Sequence, residues 1–305
     1  MRTIIHIGGN KTASTLLQRR LFSKHKSLEY LGEDCRDYSH LKQLLDSLVS
    51  DDDSFFDHAA TMALFSDRFR SREGLAACVY SNEDIMTSPL PSVCAARLRS
   101  IAPEASIVMV IRNQLTTWPS WYANHGAYLK NVPRRYWKRH VALDEWLDYC
   151  FNFPKVSPVE AMNYERFFNI FCAHYPPERI HVLLYEELIA SPSAYYERWA
   201  QLLGIPGQDI QDSVASHVER GRSSARRAVF DAWTSKLAAI PGMDSGMTNV
   251  LPRWTALRTW LDSGRPANIK LPELWSRRIE GYYRQSNSNL AKTTGLDLAR
   301  HGYPV

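Results

Sequence analysis

Residues 4–18 read I-I-H-I-G-G-N-K-T-A-S-T-L-L-Q, and the stretch makes three moves. Ile4, Ile5 and Ile7 form an apolar run of the kind that builds a buried strand. Gly8, Gly9 and Asn10 break it. Lys11, Thr12, Ala13, Ser14 and Thr15 then lead into helical spacing at Leu16, Leu17 and Leu21. A glycine-containing turn between a strand and a helix start presents backbone N–H groups and the positive end of a dipole. That arrangement receives an anion, and phosphate is the usual guest. Lys11 adds a cation, and the hydroxyls add donors.

Three further apolar runs follow, at 76–80 (A-A-C-V-Y), Ser106–Ile111 and Ile180–Leu184. Helical patterns separate them, at 16–24, 41–49, a stretch ending near Arg70, 93–101, 163–174 and 193–203. The last of these closes on Gly204 and Pro206, a stop signal. A long helix is expected at about 272–291, and residues 25–40 read as polar and irregular. Short apolar strands alternating with helices predict an α/β fold, with a P-loop-like, mostly parallel sheet covered by helices on both faces. The expectation is a single domain over 1–305, with an aromatic and basic helical insertion at about 118–160 and a helical extension at about 225–305.

The bulk numbers narrow the classes. The 305 residues are 45% hydrophobic and 23% charged, which excludes disordered and collagen-like chains. A net charge of +5 suits anionic ligands but falls short of a nucleic-acid-binding face. The five cysteines are scattered with no C-x-x-C, so neither a zinc site nor a disulfide framework is indicated. They read as idle thiols in a reducing compartment. The first strand starts too near Met1 for a signal peptide, and no apolar run reaches the roughly 20 residues of a membrane span. A cytoplasmic protein is expected. Asp51, Asp52 and Asp53 read as a solvated loop or a helix cap rather than a metal site.

In a parallel sheet, ligands bind beyond the carboxyl ends of the strands. Each predicted strand here ends in chemically capable residues: the Lys11 loop, then Ser81 and Glu83, then Arg112, then Tyr185 and Glu186. The loop departs from a Walker A sequence, since Asn10 stands where a glycine precedes the lysine and Ile5 stands where the earlier glycine belongs. None of the four strands ends in the Asp that would hold Mg²⁺, and Arg112 occupies one such end. Phosphate binding without metal-assisted nucleotide hydrolysis is the expectation.

These residues resemble the sulfotransferases that use 3′-phosphoadenosine 5′-phosphosulfate (PAPS), and most closely the bacterial members akin to the heparan and carbohydrate group. H-I-G-G-N-K-T-A-S-T-L-L-Q is similar to that family's 5′-phosphosulfate loop, where K-T-G-[ST]-[ST] is usual. V-I-R-N-Q-L-T-T-W-P-S is similar to its 3′-phosphate motif, an Arg at a strand end with a Ser eight positions on. I-H-V-L-L-Y-E-E-L is similar to its late strand. Ala13 replaces the usual glycine, and a helix-start conformation tolerates alanine.

The resemblance implies a sulfuryl transfer from PAPS to a hydroxyl or amine, leaving 3′,5′-ADP and needing no metal. It places Gly9, Asn10, Lys11, Thr12, Ala13, Ser14 and Thr15 around the 5′ end, with Lys11 also facing the breaking S–O bond. Arg112 and Ser120 take the 3′-phosphate, with Pro119 compatible with a helix first turn. Glu83, in S-N-E, is the candidate general base, with His6 and His125 as weaker ones. Tyr185 packs near adenine or in the core. Arg222 and Ser223 sit in a late basic loop that closes over the 3′-phosphate. The acceptor is a small molecule or glycan, with a carbohydrate first. It meets the segment 118–153, where Trp118, Trp121, Tyr122, Tyr128, Tyr136, Trp137, Trp146, Tyr149, Phe151 and Phe153 alternate with Lys130, Arg134, Arg135, Lys138 and Arg139. These side chains equally suit a helical subdomain core. Two alternatives stay open: a P-loop small-molecule kinase, with Asp84 or Glu186 at Mg²⁺, and a non-catalytic nucleotide-binding module.

Overall fold

A computed structural model describes residues 1–9, 11–33, 35, 38–70, 73–123, 141–215, 224–226, 229–230, 259–261, 263, 265 and 268–305. Five strands make one sheet: β1 (Arg2–His6), β2 (Leu28–Gly32), β3 (Ala77–Ser81), β4 (Ser106–Ile111) and β5 (Ile180–Leu184). Their order is β2-β3-β1-β4-β5, and every pairing is parallel. All carboxyl ends therefore lie along one edge, where His6 faces Ser81 and Ile111 faces Leu184. The four predicted strands are present. The reading of 25–40 as irregular is corrected by β2, whose L-E-Y-L-G is interrupted by Glu29 and does not stand out. At the sheet's edge, Glu29 needs no burial and pairs with Arg68 at 3.3 Å.

Helices lie on both faces, as parallel strands require. One face carries Ile4, Ala77, Val79, Val108, Val110 and Leu183, packed against the helix after β1 and against Trp199 and Leu203 of a later helix. On the opposite face Tyr80 meets Phe65, with ring centres 5.3 Å apart. The helices are α1 (Ser14–Leu16), continuing as a π-helix (Leu17–Phe22), α2 (Tyr38–Ser50), α3 (His58–Arg68), α4 (Pro91–Ile101), α5 (Gln114–Trp121), α6 (Leu143–Asn152), α7 (Pro158–Ala161), α8 (Tyr164–Cys172), α9 (Tyr185–Ala190), α10 (Pro192–Leu203), α11 (Gly207–Ala215) and α12 (Glu273–Thr294). None among the described residues is long and apolar enough to cross a membrane.

Contacts group the chain into two compact units. The first comprises Met1–Asn113, Glu160–Val218 and Tyr283–Val305 and holds the whole sheet. At the end of α2 the buried Arg97 donates to the carbonyls of Ser47, Leu48 and Asp51, and it pairs with Asp53 of the acidic turn at 2.7 Å. The second comprises Gln114–Val159 and Glu219–Tyr282 and has an aromatic core of its own. Trp118 packs on Trp146 at 5.3 Å, and Phe151 on Trp275 at 5.6 Å. Within this unit Trp118 and Trp146 are buried and Phe153 is half exposed. Pro119 lies inside α5, not in a first turn, because the helix already begins at Gln114. The proline takes away the backbone donor that position 119 would otherwise supply.

Candidate active site

The first unit builds its site at the carboxyl edge of the sheet, and the loop after β1 is its centre. The ladder with β4 runs on past the strand, with Ile7 N–H donating to Val108 O and Gly9 N–H to Val110 O, both at 2.9 Å. The loop thus leaves the sheet at a fixed place. Lys11 has φ 70° and Ala13 has φ 64°, both in the left-handed region that non-glycine residues rarely enter. Ala13, the residue before α1, has ψ 22°. This corrects the expectation that alanine is tolerated as a helix-start residue. The position has the backbone that favours glycine, and the alanine methyl packs against the core beside it. Alternation into and out of this region turns successive N–H groups toward one concavity, which suits an anion.

Hydroxyls close the turn. Thr12 Oγ1 donates to Gly9 O at 2.5 Å and lies 3.1 Å from Ser14 Oγ. Since the one proton of Thr12 is committed to Gly9, Ser14 is the donor in that pair. Both side chains are buried. Gly8 has no room for a side chain: a Cβ would stand 2.5 Å from His6 Nε2 and 2.6 Å from Ser14 Oγ.

Arg112 follows β4 directly. Its Nη1 donates to Lys11 O at 3.0 Å, and its guanidinium lies 4.5 Å from the ring centre of Tyr185, at cation–π distance. Its own carbonyl accepts from Tyr164 Oη at 2.6 Å. The next residue is pinned too, with Asn113 N–H donating to Glu186 Oε1 at 2.9 Å. Tyr303 donates to the other oxygen, Oε2, at 2.8 Å. Burial, and then the Glu186 charge, push the Tyr303 hydroxyl well above the ordinary tyrosine range. The structure therefore brings Lys11, Thr12, Ala13, Ser14, Arg112 and Tyr185 together.

Glu83 begins a 3₁₀ turn (Glu83–Thr87) after β3, where Asn82 caps by accepting from Asp84 N–H at 2.8 Å. This turn is tied to the loop strand by Asn82 N–H donating to His6 O at 3.1 Å. Met86 of the same turn flanks Gly9. Ser120 belongs to α5 in the second unit. Asn10, His125, Arg222 and Ser223 lie outside the described residues.

Three side chains stand behind the loop: His6, in the sequence only a weaker base candidate; Ser81, there only a strand end; and Gln18, which the sequence-based set lacked. His6 is fully buried, with Nδ1 2.8 Å from Ser81 Oγ, and Gln18 Nε2 donates to the same oxygen at 3.0 Å. Gln18 carried a signal, because it is a polar residue on the helix face otherwise made by Leu17, Leu21 and Phe22. Burial between Phe22 and Trp199 lowers the His6 pKa from 6.5 to about 3. A ring of that kind stays neutral at ordinary pH and takes up no proton there.

Among the described residues no group of three His, Cys, Asp or Glu side chains is placed to hold a metal ion. The site's chemistry is that of donors: an ammonium, a guanidinium, hydroxyls and N–H groups. A doubly anionic ligand fits this set.

A sequence model of the sulfotransferase family matches residues 3–209. Among solved structures, a sulfotransferase from Alicyclobacillus acidocaldarius is similar at 15% identity and a TM-score of 0.46, with 85% of this chain and 99% of that chain covered. The sulfotransferase domain from the curacin biosynthetic pathway is similar at 13% identity and a TM-score of 0.43, with 97% and 99% covered. No curated protein matches this chain. With the family's match running over more than half of its length, from β1 to α11, the chain belongs to the sulfotransferase family.

Proposed function

We propose that this sulfotransferase uses PAPS as donor and a hydroxyl or amine, first of a carbohydrate, as acceptor. The observation that carries the reading is the link between the two basic strand ends, Arg112 Nη1 on Lys11 O. A donor with anionic groups at both ends of its ribose calls for two cationic positions held in fixed relation, and this contact supplies the relation. Bound PAPS would supply the sulfuryl group and a stable leaving phosphate.

In this reading the N–H groups of the loop, Lys11 and the Ser14 and Thr15 hydroxyls hold the 5′ end. Thr12 keeps the loop closed. Lys11 meets the charge that grows on the bridging oxygen as the S–O bond breaks, so it acts more on the transition state than on the ground state. Glu83 takes the acceptor's proton as the new bond to sulfur forms. Arg112 receives the 3′-phosphate with Tyr185 beneath its guanidinium, and Ser120 joins by the motif spacing alone. The residues outside the described set, Asn10, Arg222 and Ser223, keep the roles that the resemblance implies.

Thermal unfolding with 3′,5′-ADP, PAPS and ATP·Mg²⁺ tests the donor, since ligands of the native state raise apparent stability. The first two raise the melting temperature. Stabilisation by ATP·Mg²⁺ alone sinks the proposal and favours a kinase. Glu83→Gln is expected to keep 3′,5′-ADP binding while losing about 10²–10⁴-fold in turnover, the range for a general base. Full activity in that variant removes Glu83 from the role.

A further inference from the structure

The strongest unexplained feature of the first unit is the far nitrogen of His6. Nε2 is buried and has no hydrogen-bond partner among the described residues. An imidazole nitrogen left this way is costly unless something completes it. It also points at the loop: Nε2 and Ser14 Oγ crowd the same point above Gly8, 2.5 and 2.6 Å from where a Cβ would stand.

We propose that His6 is a positioning residue of the anion loop: Ser81 holds it as the Nε2–H tautomer, and that proton is aimed at Ser14 Oγ, which donates its own hydrogen bond to the bound anion. This rests on the reading of the loop as an anion site.

The proton count supports the direction. Gln18 donates into Ser81 Oγ. If His6 Nδ1 also donated there, the Ser81 proton would have no acceptor among the printed partners, and Nε2 would be a buried bare lone pair. If Ser81 instead donates to Nδ1 at 2.8 Å, Ser81 is satisfied and Nε2 carries a proton. Ser14 needs such a neighbour. In the free loop its proton goes to Thr12, because Thr12's goes to Gly9. Its lone pairs are then its open capacity. Two lone pairs facing each other across Gly8 would repel, whereas a donor facing Oγ attracts. When an anion occupies the loop, Ser14 redirects its hydrogen bond from Thr12 to the anion, and Nε2–H donates to Ser14 Oγ. The chain Gln18 → Ser81 → His6 → Ser14 → anion then runs in one direction, and each bond polarises the next. No proton leaves the chain, so nothing is oxidised, reduced or transferred. Burial between Phe22 and Trp199 keeps the ring neutral, as the tautomer requires.

The test is long-range ¹H–¹⁵N correlation on the full chain with ¹⁵N-labelled histidine at pH 7.5, with His6→Gln used to assign the His6 signals. The free protein is expected to show a protonated Nε2 and a bare Nδ1 at His6. Saturating 3′,5′-ADP, or inorganic pyrophosphate as a simpler probe, is expected to shift the Nε2–H signal. An Nδ1–H tautomer overturns the proposal, and so does an Nε2–H signal that ignores an anion whose binding calorimetry records. Absence of calorimetric binding to either probe defeats the anion-loop reading, and this proposal with it. The free-state spectrum still reports the tautomer by itself.

Kinetics separate positioning from bulk. His6→Gln places an amide near Nε2 and is expected to stay within roughly threefold in kcat/KM for the sulfuryl donor. His6→Asn places it near Nδ1 and is expected to lose roughly tenfold, the effect of one hydrogen bond. Equal losses in the two variants, at matched melting temperatures, overturn the proposal. Ser81→Ala is the second variant. It leaves the ring in place and is expected to mix the tautomers, and an unchanged spectrum there also overturns it.

Discussion

Replacing Gly8 by alanine probes the packing behind the anion loop more sharply than removing any loop side chain. The new methyl would stand 2.5 Å from His6 Nε2 and 2.6 Å from Ser14 Oγ, far inside normal contact. His6 cannot step aside, since it is fully buried between Phe22 at 5.7 Å and Trp199 at 5.4 Å and is held by Ser81. Overpacking a filled site costs about 1–3 kcal/mol. Losing the His6–Ser81 bond adds about 1 kcal/mol. Alanine returns about 0.4–1 kcal/mol by narrowing the unfolded ensemble. The net is roughly 2 kcal/mol of destabilisation, or a melting temperature lower by roughly 4–8 °C. Differential scanning calorimetry reads the shift, and the neighbouring glycine is the control. At Gly9 a Cβ would meet Val110 O at 3.4 Å and Thr12 Cγ2 at 3.5 Å, ordinary contacts. Gly9→Ala should therefore stay within about 0.5 kcal/mol of the parent. If the two variants melt together, or if Gly8→Ala melts within about 1 °C of the parent, the account of a filled space behind the loop is refuted.

Acid sensitivity follows from His6. Its folded pKa, about 3, lies below the ordinary 6.5. Its contribution to stability is whole above pH 6.5 and is lost as pH falls toward 3, at up to about 1.4 kcal/mol per pH unit. The melting temperature measured against pH should fall across that window in the parent and flatten in His6→Asn, and parallel curves would exclude His6 as the cause. Tyr303→Phe removes the 2.8 Å bond to the Glu186 carboxylate and should lower stability to urea by about 2 kcal/mol, the value of a hydrogen bond to a charged group. A loss under about 0.5 kcal/mol would mean that solvent replaces it. Gly281 lies inside α12, and a Cβ there would meet nothing within 4 Å. Gly281→Ala should raise stability by about 0.5–1 kcal/mol, and a lower melting temperature would refute the open environment.

The parts of the fold legible in the sequence are those whose burial is two-sided. β1, β3, β4 and β5 read as unbroken apolar runs because helices cover both faces of the sheet. β2 was not legible, since Glu29 interrupts its L-E-Y-L-G and leaves no such run. The same logic divides the site. Lys11, Arg112 and Tyr185 were legible because polar residues at the ends of apolar strands stand out, and parallel pairing brings those ends to one edge. Ser81 was legible as a strand end, but its partnership with His6 was not, because that depends on the register that sets the two opposite each other. The left-handed backbone of Ala13 was hidden as well. A sequence marks that conformation only when it uses glycine.

That last feature bears on how the loop works. Lys11 and Ala13 each hold a left-handed conformation at a cost of about 1–2 kcal/mol. The surroundings that hold them are visible: Thr12 on Gly9, Arg112 on the Lys11 carbonyl, and the Ala13 methyl against the core. These contacts within the fold offset the strain. A loop held in shape by such contacts loses less freedom on binding. It also keeps its donors fixed while charge moves in the reaction, which is what electrostatic stabilisation of a transition state requires. Arg112 serves both ends of this arrangement, since the same side chain that braces the Lys11 carbonyl lies over Tyr185. Any change that shifts Arg112 then disturbs the Lys11 loop too, so in the proposed donor site the two anion positions are coupled.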